Sequence, residues 1–172
     1  MCIRDSSWGV PKVVNVHRRV IPATGPQAEA LLRSLASHED RMWPGDKWWP
    51  QRFDGGLVPG SKGGHGPVKY KVESVAARKV VYRFPSKGWF RGTHAFELRA
   101  GPDGKQELVH TLEGTTHGVG LLLWPFAVRP LHDALLEDVL DRAERTSGRE
   151  PSPPARHTRY VRFLRRRWLK LE

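Results

Sequence analysis

Three histidines are the side chains whose type and spacing could do chemistry in this chain. His94 lies in Phe90–Ala100, where His94, Phe96 and Leu98 alternate with Thr93, Glu97 and Arg99. His110 lies in Lys105–Thr116, where Leu108, His110 and Leu112 alternate with Glu107, Thr111 and Glu113. Pro102-Asp103-Gly104 between them has the form of a type I turn followed by a left-handed glycine, a three-residue hairpin loop. That loop predicts paired residue numbers summing to about 206, with His110 opposite Phe96 and His94 opposite Leu112. The two histidines are then diagonal neighbours on the apolar face of the hairpin. His132 falls at the centre of the apolar face of a later helix. Imidazoles facing an apolar cavity could orient the polar end of a ligand, or act as acid and base near neutrality. The alternative is that each is a core histidine satisfied by a backbone carbonyl or water.

Other chemistries are poorly served. Three-histidine metal binding needs ring nitrogens converging at ~2.0–2.1 Å, and spacing alone supplies no convergence, so neither a metal nor a cofactor is expected. The single cysteine, Cys2, excludes an intrachain disulfide and any CxxC zinc pattern. Ser61 and Ser74 have no nucleophile elbow around them. Lys62-Gly63-Gly64-His65-Gly66 lacks the order of a phosphate-binding loop and precedes a strand, so it reads as a flexible strand connection with His65 at the surface, the other reading being a place at the mouth of the cavity.

The elements that must position the histidines follow from periodicity. Val13–Pro22 suits a first strand, with Val13, Val14, Val16, Val20 and Ile21 as its apolar residues. Thr24-Gly25-Pro26-Gln27 forms a capping box, and Ala28, Leu31, Leu32, Leu35 and Ala36 follow at helical spacing. Glu39–Pro50 reads as a loop or broken helix holding Trp43, Trp48 and Trp49. Gln51–Val58 is the weakest strand, and Val68–Val75 and Lys79–Phe84 alternate cleanly. Val119–Arg145 is a long helix whose first half is made irregular by Pro125 and Pro130. Trp124, Val128, Leu131, Leu135, Leu136, Val139 and Ala143 share one face of it, and Asp133, Glu137, Asp141 and Glu144 the other. The fold class is α+β, a curved antiparallel sheet wrapped around a long C-terminal helix, with short helices after the first strand.

This order, together with Gly63-Gly64-His65-Gly66-Pro67, Gly92-Thr93-His94-Ala95-Phe96-Glu97, Leu123-Trp124-Pro125 and Arg129–Asp138, resembles the START-like (SRPBCC) superfamily. The chain is similar to a bacterial branch of its polyketide cyclase/dehydrase type, which has the helix-grip fold. The resemblance implies an apolar cavity between sheet and helix that holds lipids, polyketides or other hydrophobic molecules. It does not choose between carrier, sensor, cyclase and oxygenase ligand domain, and the iron-binding two-His, one-carboxylate pattern of the much longer oxygenases is not placed in this chain. The residues expected to line the cavity are Tyr70, Tyr82, Phe84, His94, Phe96, His110, Leu112, Trp124, Val128 and His132. Trp43, Trp48, Trp49 and Trp89 are expected to rim its entrance, the other reading being core packing with a satisfied indole N–H.

Charge divides the chain. Its 172 residues carry 29 Lys+Arg against 18 Asp+Glu, a net +11 that points to an anionic partner. Arg156–Glu172 holds seven of the basic residues against Glu172 alone, or +6, and residues 1–155 carry only +5. The expected organisation is a disordered or artefactual segment at residues 1–9, a ligand-binding domain at 10–147, a Pro-rich linker at 148–155 and a basic amphipathic tail at 156–172. In the tail, Tyr160, Val161, Leu164, Trp168 and Leu171 form an apolar stripe among arginines. Such a helix can dock on its own domain or lie on an anionic membrane through Arg159, Arg162, Arg165, Arg166, Arg167 and Trp168. Nucleic acid is disfavoured, because the aromatic residues do not lie on the wet strand faces. The longest apolar run, Val119–Val128, is about half of the ~20 residues that span a bilayer, and with no signal-peptide pattern a cytoplasmic location is the default.

The leading expectation is a protein that binds a hydrophobic small molecule or lipid, with peripheral membrane association through the tail. Two others stand beside it. One is a cyclase/dehydrase-like enzyme in which His94, His110 or His132 moves protons. The other is an interaction module whose tail binds nucleic acid or an acidic protein.

Overall fold

Alternating strands and one amphipathic helix settle into a single curved antiparallel sheet closed over that helix. The computed structural model describes residues 11–170, so residues 1–9 and Leu171 of the tail stripe lie outside the described residues. In chain order, β1 is Lys12–Ile21, α1 Gly25–Arg33, β2 Gln51–Phe53, β3 Lys62–His65, β4 Val68–Ala76, β5 Lys79–Arg83, β6 Phe90–Ala100 and β7 Gln106–Thr116. Then come α2 (Gly120–Leu123), a π-turn at Trp124–Val128, α3 (Arg129–Thr146), α4 (Arg159–Leu164) and a second π-turn at Arg165–Leu169. The sheet order is β1-β7-β6-β5-β4-β3-β2. This is the helix-grip architecture.

The β6–β7 hairpin has the expected register, with His94 opposite Leu112 and Phe96 opposite His110. The capping box of α1 is also formed, Gln27 Oε1 accepting from the Thr24 N–H at 2.9 Å. Fully buried Tyr82, Phe96, Leu32, Leu35, Leu108, Leu136 and Leu140 fill the core between the sheet, α1 and α3.

Three segments depart from the sequence reading. The strand expected over Gln51–Val58 stops at Phe53. Lys62–His65, expected to be a flexible connection, is a strand that pairs with both β2 and β4. Its glycines are the reason: a Cβ on Gly63 would lie 1.9 Å from the Arg52 carbonyl oxygen, and one on Gly64 1.9 Å from that of Val68. Glycine here marks close approach of backbones rather than freedom.

The third departure concerns β1 and the acidic face of α3. Val14 and Val16 point to solvent, 67% and 51% exposed, whereas Asn15, His17 and Arg19 face α3. Asn15 Nδ2 donates to Asp133 Oδ1 at 2.8 Å, and His17 contacts Asp133 at 3.1 Å and Glu137 at 2.9 Å. Arg19 reaches Glu137 at 2.7 Å, Asp141 at 2.6 Å and Glu144 at 3.2 Å. Alternate residues of a strand are thereby matched to successive turns of a helix. The acidic residues expected on the wet side of α3 form a polar ladder against β1, with Asp141 and Glu144 buried.

Pro125 and Pro130 are absorbed without ending the helix, because the π-turn lets the chain run through from α2 to α3. Pro130 has no N–H to offer the Phe126 carbonyl four residues earlier. The Tyr160 hydroxyl of α4 donates to that carbonyl instead. The tail packs on the domain in other ways as well. Val161 and Leu164 are buried, and Leu169 packs against the main core. Arg165 stacks over the Trp48 ring at 4.7 Å and donates to the Lys47 carbonyl at 2.6 Å. Of the arginines expected to reach a membrane, Arg165 is therefore turned inward.

Candidate functional site

A cavity of about 420 Å³ lies between the sheet and the helix that runs from α2 into α3. Its wall contains every residue expected there except Tyr82, and also Trp43, Trp48, Trp49 and Trp89. Tyr82 sits behind the wall, its ring stacked on His94 at 4.7 Å between centroids. Trp43 and Trp48 are core residues as well as wall, 5% exposed each, with their indole N–H groups given to the Trp49 carbonyl and to Asp138. Trp49 and Trp89 are half-buried. Trp168 and Leu169 add the tail to the lining. A wider hollow of about 720 Å³, between β1, α3 and the proline-rich segment, is lined by charges such as Arg19, Glu137, Glu144 and Arg149 that pair with one another.

Strand pairing brings His94 and His110 together as expected. His94 Nδ1 lies 3.3 Å from His110 Nε2, one ring donating and the other accepting according to tautomer. His94 Nε2 and His110 Nδ1 are buried without a hydrogen-bond partner among the described residues. His132 approaches from the helix, its ring centroid 5.2 Å from that of His110. Tyr70 meets His94 edge-on at 4.5 Å, and its hydroxyl accepts from Gln51 Nε2 at 2.8 Å.

Burial decides the charge of these groups. It holds His94 and His110 well below the ordinary imidazole range, and the neighbouring histidines push in the same direction. Burial also lowers His132, with Asp133 offsetting part of the effect. It pushes the Tyr70 hydroxyl well above the ordinary phenol range, against a smaller opposing effect of Gln51. The cavity pair is therefore neutral at physiological pH, where the sequence allowed acid–base groups poised near 7.

One histidine escaped the sequence reading, and for another the less favoured of its two readings holds. His65, expected at the surface, lines the cavity between Trp43 and Tyr70, with ring centroids 5.0 and 5.9 Å away. Enclosure lowers its pKa to about 3, helped by His132 and Lys69. His17 stands directly across the β1–β7 ladder from His110. Burial opposes its charge, but hydrogen bonds and attraction from Asp133 and Glu137 prevail and raise its pKa to about 9. β1 carries valines on both faces, Val13 inward and Val14 and Val16 outward, so its periodicity did not reveal His17.

Asp138 ties the tail to the cavity wall. Its carboxylate accepts from Lys47 Nζ at 2.8 Å and Trp48 Nε1 at 2.8 Å, and meets His157 Nε2 at 2.7 Å. Burial opposes this carboxylate's charge, yet Lys47, Trp48 and His157 hold its pKa below the ordinary range. A group with a depressed folded-state pKa stabilises fully above its unfolded value, near 4, and loses that contribution as the pH falls through its folded value. Acidification from pH 6 to pH 3 is expected to loosen the tail, seen as lower hydrogen-exchange protection factors in α4 once the intrinsic fall of the exchange rate with pH is removed. Asp138→Asn is expected to remove this acid dependence. Protection factors in α4 that ignore pH in the unsubstituted protein would contradict it.

No family model matches the sequence. No curated protein matches it either. Solved structures do. The di-domain ARO/CYC StfQ from the steffimycin biosynthetic pathway matches at TM-score 0.57 and 13% identity, over 79% of this chain and 50% of that one. Ara h 8.0201 matches at 0.56 and 13%, over 80% of this chain and 98% of that one. CalU16 from Micromonospora echinospora matches at 0.56 and 12%, over 94% and 97%. Likenesses at this level of identity speak for architecture alone, and the architecture they share with this chain is the helix-grip fold.

Proposed function

We propose that this protein binds a hydrophobic small molecule or lipid between its sheet and α3. The observation that carries this reading is the cavity itself. Its volume falls within the roughly 300–1,000 Å³ of ordinary ligand sites, and its wall is mostly aromatic and aliphatic, with a neutral, paired His94–His110 dyad among its few polar groups. The buried, unpartnered nitrogens of His94 and His110 suit the single polar group of an otherwise apolar ligand. Native mass spectrometry of protein purified without detergent is expected to show a bound small molecule. Leu131→Trp, which adds bulk to the cavity wall, is expected to abolish that adduct and weaken a fluorescent hydrophobic probe by at least about a hundredfold. Wild-type protein that carries nothing and takes up no such probe would overturn the reading.

A cyclase/dehydrase-like activity is the second reading, favoured by the His94–His110 contact and by the fold shared with StfQ. The depressed basicity of both rings supports hydrogen bonding to a bound group more than proton abstraction. Peripheral membrane association belongs to the proposal too. Among the described residues no helix is long and apolar enough to cross a membrane. Leu121, Leu122 and Phe126 are nevertheless exposed, as are Tyr160, Phe163 and Trp168 among the arginines of the docked tail, where Tyr160 meets Phe126. This mixture of apolar and basic groups suits an anionic membrane surface.

A further inference from the structure

The polar ladder between β1 and α3 contains a group of donors that an ion pair does not fully explain. His17 on β1 and His132 and Asp133 on α3 each present one ligand atom, and these atoms all lie within 4.8 Å of one another. His17 Nε2 is 3.1 Å and His132 Nδ1 4.0 Å from Asp133 Oδ1. Ligand atoms around a tetrahedral ion at ~2.0–2.1 Å stand about 3.3 Å apart, so the observed separations bracket the required spacing.

A protonated His17 between Asp133 and Glu137 would account for His17 alone. It leaves His132 Nδ1 buried with no hydrogen-bond partner among the described residues, because 4.0 Å is too long for such a bond. An ion shared by the three side chains would take up that nitrogen. The surroundings are also those of a ligand set. Glu137 Oε1 contacts the far ring nitrogen of His17 at 2.9 Å, the carboxylate–histidine pairing that fixes tautomer and ring orientation at metal centres. Asn15 Nδ2 holds Asp133 Oδ1 from the other side at 2.8 Å. The side chains of Asp133 and Glu137 are 37% and 41% exposed, which gives an ion a path from solvent.

We propose that His17, His132 and Asp133 form a binding site for a divalent first-row transition ion, with zinc as the reference ion and Glu137 as a positioning residue. Two imidazoles and a carboxylate suit zinc, iron or nickel better than calcium or magnesium. Three protein donors leave a further position for water, as in reactive rather than purely structural zinc sites. His132 also lines the cavity, so the ion would sit in the cavity's back wall. The site does not depend on the cavity's being occupied.

The test is calorimetric titration of full-length, tag-free protein with zinc, repeated with cobalt to read the ligand-field bands of a mixed nitrogen/oxygen site. One ion per chain is expected, with a cobalt spectrum abolished in His17→Gln and in Asp133→Asn. Each of these should weaken zinc by more than the ~10–100-fold that an outer-partner substitution costs, and Glu137→Gln should fall within that range. Asp133→Asn keeps the shape of the side chain, so the test survives if the His17 variant misfolds; circular dichroism verifies each fold. Absence of zinc binding, or binding that both variants leave unchanged, would overturn the site and leave an ion-pair ladder. Neither result bears on whether the cavity holds a hydrophobic molecule.

Discussion

Arg19→Ala is expected to lower the free energy of unfolding by about 3 kcal/mol, the largest loss from any single surface-accessible side chain of this protein. Arg19 keeps 23% of its side chain exposed, but two of the carboxylates it serves, Asp141 and Glu144, are 2% and 6% exposed. Removing the guanidinium leaves those charges in a poorly solvated seam. Arg149, 2.5 Å from Glu144, and the Ala155 N–H, 2.7 Å from Asp141, compensate only in part. Urea denaturation followed by circular dichroism measures the effect. The neighbouring Arg18 is exposed on the opposite face of β1, and Arg18→Ala is expected to stay within about 0.5 kcal/mol. Equal effects of the two substitutions would show that the ladder contributes little.

Ending the chain at Ala155 is expected to have the second large effect, felt in both stability and ligand exchange. Val161 and Leu164 are buried against the domain, and each such side chain contributes about 1.5–3 kcal/mol relative to exposure, less what is spent in ordering the tail. The shortened chain also loses the Tyr160 hydroxyl bond to Phe126, the Arg165 stack on Trp48 and the part of the cavity wall made by Trp168 and Leu169. A hydrophobic fluorescent probe is expected to dissociate at least about tenfold faster, measured by stopped-flow displacement, and the melting temperature to fall. An unchanged dissociation rate would show that the tail is not part of the closure. Flotation with anionic liposomes should weaken in the same variant, because Arg159, Arg162, Arg166 and Arg167 leave with the tail.

The sheet and its central pair were legible because hairpin pairing is local. A three-residue loop fixes register, and register fixes which residues are diagonal neighbours, so His94 and His110 could be brought together on paper. The α1 capping box and the irregular lead into α3 were legible for the same reason, since each depends on residues within four positions of one another. His65 was misjudged because three glycines around it read as slack. What they provide is room for the Arg52, Val68 and Trp49 groups that press against them.

The amino-acid sequence by itself determined the helix-grip order, the His94–His110 register and the concentration of basic charge in residues 156–172. Only the tertiary structure decided which side of β1 faces inward. Apolar residues lie on both sides of β1, and the four acidic residues of α3 select the side that carries Asn15, His17 and Arg19. Burying Asp141 and Glu144 without Arg19 would cost more than exposing Val14 and Val16. That choice placed His17 beside His132 and Asp133, and it rests on a contact spanning 116 residues that no local pattern encodes. The tertiary structure likewise decided that the tail packs on its own domain, because the carbonyl freed by Pro130 and the face of Trp48 come within reach only once α3 is packed on the sheet.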